Sequence, residues 1–225
     1  MNKKLFILPI VACLAVGISG CKIEVEKQVS LKQLLNNEPA SEIGYLNVEV
    51  AGCHDYEDSR KPSDSLVEAQ EKIPQIFPNA KFKECYTKKM DSFASFEIPV
   101  FVGKYEQGKT KTDDINVLSD DDDLKVATSA NTAKAIAKQA KYDSSLELGV
   151  YIEVVNDLDK DVTLDLSSVY VNGKTPVPVP DGNMKLEKGK SVQLKLSNVS
   201  ADSLWNTISK DGSGLVKFAS IEDDD

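Results

Sequence analysis

The chain has 225 residues, with 27 basic against 36 acidic side chains, one histidine and four cysteines. A net charge of −9 excludes the electrostatic footprint of a non-specific nucleic-acid binder and argues equally against adhesion to anionic lipid headgroups. The length is enough for one large domain or two small ones, each with a real core.

Met1-Asn2-Lys3-Lys4 carries positive charge, and Leu5 to Val16 is an apolar run broken by Pro9. This is the layout of a secretory signal peptide, too short for a spanning helix. It ends in Ile18-Ser19-Gly20-Cys21, which resembles the lipobox of bacterial lipoproteins. The resemblance implies cleavage before Cys21, a thioether-linked diacylglycerol on its sulfur, and a further acyl chain, such as palmitate, on the new amine. Two or more chains anchor a protein stably, whereas one holds only marginally. Loss of residues 1–20 removes Lys3 and Lys4, leaving 25 basic and 36 acidic residues and a net charge of −11. The acyl chains must then supply the membrane attachment. Cys13 leaves with the signal peptide and Cys21 is taken by lipid. The remaining pair, Cys53 and Cys85, reads as one disulfide in an exported protein, the alternative being two buried thiols.

Residues 21–29 read as a short charged tether beneath the fold. Ser30 can cap a brief helix through Leu34 and Leu35, and Ile43 to Val50 reads as a strand with Leu46, Val48 and Val50 on one face. Ser63 or Ser65 caps a helix carrying Leu66, Val67, Ala69, Ile73 and Ile76, expected to kink or end near Lys72 because of Pro74. Lys81 to Tyr86 and Phe93 to Val102 follow as two strands around a turn at Met90-Asp91. Residues 30–110 are therefore expected to form a small α+β domain of strand, helix, strand and strand. The polar stretch through Asp120–Asp123 reads as a domain boundary, and residues 111–144 as an acidic linker with a helix over Ala133–Ala140, capped by Asn131.

From Leu146 onward the pattern is strands. Asn172-Gly173 signals a hairpin, and Pro176, Pro178 and Pro180 confine the next segment to a sheet edge or an extended polyproline-like stretch. Ser191 to Leu196 is another strand, Ser200 to Lys210 a helix around Trp205, and Leu215 to Ile221 a last strand. Short strands separated by regular turns predict a mostly β domain over residues 145–225, similar to the immunoglobulin-like sandwich modules of envelope lipoproteins.

Candidate chemistry is sparse. His54 sits beside Cys53, but neighbouring residues in an extended chain point to opposite faces, which suits a nucleophile pair poorly. Asp157, Asp159 and Asp161 open like a calcium-binding loop, yet Val162 stands where glycine is needed and Ser168 where a bidentate glutamate belongs. No catalytic residue, metal site or cofactor is assigned. The expected function is a non-enzymatic protein-binding or structural envelope module, held on the bilayer through acylated Cys21 and partnered by an envelope protein rather than nucleic acid. Lys22 follows the lipidated cysteine where enterobacterial-type lipoproteins retained in the inner membrane carry aspartate, which points to the periplasmic face of the outer membrane. The alternatives are a phage or prophage lipoprotein that blocks a receptor or modifies the envelope, and a cell-wall hydrolase.

Overall fold

The computed structural model describes residues 22–35, 39–105, 113–142, 147–172, 177–206 and 214–222. Its elements in chain order are β1 (Lys22–Ser30), α1 (Leu31–Leu35), β2 (Ala40–Val50), α2 (Asp64–Ile76), β3 (Lys81–Lys88), β4 (Asp91–Lys104), β5 (Ile115–Asp120) and β6 (Asp123–Thr128). They continue as α3 (Ala130–Tyr142), β7 (Glu147–Val155), β8 (Val162–Asn172), β9 (Val177–Leu186), β10 (Ser191–Leu196), α4 (Asn198–Asn206) and β11 (Gly214–Glu222).

Nine strands close into a barrel in the order β10-β7-β1-β2-β4-β5-β6-β11-β8, with β8 pairing back to β10. The expected α+β layout of two domains, with an immunoglobulin-like sandwich at the C-terminal end, is overturned by this ring. The reason lies in β1. Ile23, Val25 and Val29 alternate inward and are at most 4% exposed, and β1 lies between antiparallel β2 and parallel β7. The segment read as a tether is thus the strand that joins the two halves of the chain into one wall. The segment read as a linker is equally structural, because Ile115, Val117, Leu124 and Val126 are fully buried in β5 and β6.

Two long strands change partner midway. β4 pairs with β2 along one edge, and its other edge is taken by β3 as far as Glu97 and by β5 from Val100. Pro99 lies at the changeover, where its missing N–H breaks no ladder. β8 pairs with β9 along one edge and divides the other between β11, at 163–166, and β10, at 169–172. Ser168, with φ of 52°, sits at that junction. β9 is an edge strand, where Pro178 and Pro180 are tolerated. Asn172 ends β8 and residues 173–176 lie outside the described residues; the strands on either side of them pair antiparallel, with Val171 opposite Val177.

Local sequence explains the helices. The Ser63 hydroxyl accepts from the Leu66 N–H at 3.1 Å and starts α2, which runs past Pro74 to Ile76 rather than ending near Lys72. Ser30 caps α1 in the same manner, accepting from the Gln33 N–H. For α3 the capping residue is Ser129, whose hydroxyl accepts from the Thr132 N–H, and not Asn131. α1 continues directly from the end of β1 and packs on β4 and β5. α4 follows β10, which is antiparallel to β7, and packs on β6, β7, β10 and β11. The two helices therefore stopper opposite mouths of the barrel, with Leu31, Leu34 and Leu204 fully buried. Inside, one continuous apolar cluster fills the space, as a barrel of this strand number allows.

Candidate functional site on the outer wall

The outward residues of β7, β1, β2, β4 and β3 fall into register across the wall. One row runs Gly149, Glu24, Asn47, Ser95, Glu84, each directly opposite the next. Its side chains are small or polar. The adjacent row runs Lys195, Tyr151, Glu26, Tyr45, Glu97, Lys81. On the other flank, Phe93 lies opposite Tyr86, their rings stacked with centroids 5.7 Å apart. Low polar residues between taller aromatic ones make a trough. Its depth is visible in burial on what is nominally the solvent face, where Asn47 is 4% exposed, Ser95 5% and Phe93 7%.

Tyr151 closes the β7 end. A Cβ at Gly149 would meet the Tyr151 ring at 3.0 Å, a tight contact, so glycine leaves room for that ring to lie back along the strand. The Tyr151 hydroxyl then donates to Glu24 Oε1 at 3.1 Å, and Lys22 forms an ion pair with the same carboxylate. Lys195 lies over the Tyr151 ring at 5.6 Å, and Lys83 over Tyr45 at 4.3 Å, both cation–π contacts.

The electrostatics of the trough are those of carboxylates held partly out of water. Burial raises the pKa of Glu26, the neighbouring Glu24 raises it further, and Lys88 offsets part of this. Burial also pushes up the phenols of Tyr86 and Tyr151, and the negative charges of Glu24 and Glu26 add to both. Asn47 makes no hydrogen bond with its side chain among the described residues, although it stands between Glu24 and Ser95. A buried amide normally finds partners for its donor and its acceptor. The Asn47 amide atoms are not fully enclosed, so they reach solvent at the floor of the wall.

The residues singled out from sequence are placed as follows. Cys21, with the whole signal segment, lies outside the described residues. Cys53 and Cys85 form the expected disulfide, with a Cα–Cα separation of 5.6 Å, tying the loop after β2 to β3. That bond removes Cys53 as a nucleophile, and His54 is exposed in a loop bridged to Pro62. The three aspartates of the calcium-like turn are engaged separately. Asp157 accepts from the Ser30 hydroxyl and the Lys32 N–H, Asp159 pairs with Lys188, and Asp161 pairs with Lys185 and accepts from the Lys188 N–H. The Asp120–Asp123 run is the β5–β6 hairpin turn, where Lys125 pairs with Asp120 and Asp123 and Lys217 with Asp123. Among the described residues no group of three or more histidine, cysteine or carboxylate side chains is close enough to share a metal. No helix among them is long and apolar enough to cross a membrane.

A second polar cluster lies at the N-terminus of α3. Asp114 is 2% exposed and its Oδ1 accepts from the Thr132 hydroxyl at 2.9 Å. Asp114 Oδ2 and Asn116 Oδ1 have no partner among the described residues. Burial drives the Asp114 pKa upward, against the pull of the Thr132 and Asn79 hydrogen bonds. A protonated Asp114 exchanges one orphan acceptor for a donor, which is the physical sense of that shift.

The trough was not foreseen from sequence. Glu24 and Glu26 belong to the segment read as a tether, yet the inward alternation of Ile23, Val25 and Val29 already placed them together on an outer face. A family model described as Domain of unknown function (DUF7424) matches residues 23–219, from the second residue of β1 to within β11. No curated protein and no solved structure matches the chain.

Proposed function

We propose that this chain, which belongs to the DUF7424 family, is a lipid-anchored envelope protein whose barrel wall binds another protein without catalysing a reaction. The observation that carries the reading is the direct succession of Cys21 and β1. The cysteine of the lipobox-like tetrapeptide is bonded to Lys22, the first residue of a barrel strand. Consecutive Cα atoms are about 3.8 Å apart, which leaves no linker between the acyl chains and the fold. A barrel seated so close to a bilayer is restricted to partners within reach of the membrane surface. The disulfide agrees with an oxidising compartment. Lys22 supports the outer membrane, facing the periplasm. A contact role is supported by an outer wall holding half-buried carboxylates, aromatic rings and an unpartnered amide, while Cys53 is committed to the disulfide.

Metabolic labelling with a palmitate analogue, followed by fractionation, tests the anchor. Label is expected in the wild-type protein, in the outer-membrane fraction, and absent from the Cys21→Ala variant. Label-free wild-type protein, or recovery with inner-membrane markers, would overturn the anchor or its address respectively.

A further inference from the structure

We propose that the trough formed by Glu24, Glu26, Asn47 and Ser95, walled by Tyr45, Tyr86 and Phe93, is a socket for an arginine side chain of the partner protein. The inference rests on the protein-binding reading above and names the chemistry of the contact. Two independent observations carry it. The first is the carboxylate pair on β1, of which Glu24 is already engaged by Lys22 and Tyr151. Glu26 accepts no hydrogen bond among the described residues, although tyrosines stand opposite it on both sides, Tyr45 on β2 and Tyr151 on β7. The second is Asn47, 4% exposed, whose amide oxygen and nitrogen make no hydrogen bond among the described residues and reach solvent in the same floor.

A guanidinium fits that set of groups. It is planar, carries only donors, and keeps its charge in partly dry surroundings because it is weakly hydrated. It can donate to Glu26 and to the Asn47 oxygen at once, while its faces lie against aromatic rings. A compact ammonium offers no such flat face, and an anion would meet Glu24, Glu26 and Glu84. Lys83 and Lys195 already stack on Tyr45 and Tyr151, which shows these rings accepting cations at the rim. The acidic chain as a whole favours approach of a basic partner.

The test uses the mature chain, made soluble by replacing Cys21 with serine, and follows backbone amide shifts by NMR. The probe is the blocked peptide acetyl-Gly-Arg-Gly-amide, with its lysine and glutamate counterparts and free phosphocholine as comparisons. Saturable shifts at Glu24, Glu26, Asn47 and Ser95 are expected with the arginine peptide at millimolar concentration. Glu26→Gln, which keeps size and shape, should weaken binding about tenfold, and the same variant should retain the wild-type melting temperature within about 2 °C. Asn47→Ala serves as the second variant and should also weaken binding. No saturable shift up to about 20 mM, a binding free energy of only about −2.3 kcal/mol, overturns the socket. Equal binding of lysine or glutamate peptide, stronger binding of phosphocholine, or indifference to Glu26→Gln does the same. Because these arms need no membrane, failure of the socket is separable from failure of the lipid anchor.

Discussion

β4 and β8 solve the same problem in different ways. Each is a long strand that keeps one partner along one edge and exchanges partners along the other, at Pro99 in β4 and at Ser168 in β8. At the β4 fork the displaced strand, β3, leaves the ring and is held by the Cys53–Cys85 bond. At the β8 fork no covalent link is present among the described residues, and closure rests on β10 inserting Val192, Leu194 and Leu196 into the core. The free edges differ as well. β9 is guarded by prolines, β3 by Lys81, Lys83, Glu84 and Lys88 and by a bulge between Phe82 and Glu84. The lesson is that the stapled fork carries the trough, while the unstapled one completes the barrel.

Removing the staple should have the largest effect. The Cys53→Ser/Cys85→Ser double variant is expected to lose about 3.5 kcal/mol in denaturant titration, the chain-entropy value for a loop of this length. Hydrogen exchange should then accelerate in β3 while β10 amides stay protected. Equal acceleration in both would mean that the two forks form one cooperative unit. Leu194→Ala, at a position 1% exposed and opposite Ile152 and Val171, should cost about 3 kcal/mol by the same measurement. Here exchange should rise first in β10 and the adjoining half of β8.

A smaller and pH-dependent effect is expected at Asp114, below the β4–β5 pairing. Its folded-state pKa is raised, so the native state binds more protons than the unfolded chain. Its favourable contribution is complete below the unfolded value and is lost as pH rises through the folded one. Asp114→Asn should therefore raise the melting temperature at pH 7, with the gain shrinking to nothing below about pH 4. A gain that does not vary with pH would remove titration as its cause. The smallest effect is at the β8 fork itself. Ser168→Gly relieves a positive φ and should stabilise by about 0.5 kcal/mol, while Ser168→Val should destabilise.

Most elements could be read from local pattern. Ser30 and the Ser63-or-Ser65 pair announced two helix starts, of which Ser63 is the second cap, and apolar patterning announced β2, β4, β7 and β10. The failures came where charge outweighed alternation. In β1, four of the nine residues are charged, and Lys27 stands at an inward position, only 9% exposed, by reaching Glu42 and the Ile43 carbonyl. Aspartates flanking β5 on both sides and opening β6 hid two short buried strands in what looked like a linker. The sandwich expectation failed for a different reason. Strand alternation reports which residues face inward, and it is the same for a sandwich and a closed ring.

What the residues alone indicated is therefore local: the lipobox-like tetrapeptide ending in Cys21, Cys53 and Cys85 as the pair left to bond, the serine-capped helix starts and the inward faces of strands such as β2. These depend on neighbours in sequence or on a count of cysteines. Only the tertiary structure decided that β1 lies beside β7, some 120 residues later, and that β8 divides its edge between β10 and β11. Those pairings bring Glu26 between Tyr151 and Tyr45 and bury Asn47 beside Glu24. Register between distant strands is set by the packing of whole inward faces against one core, and no single segment contains that information.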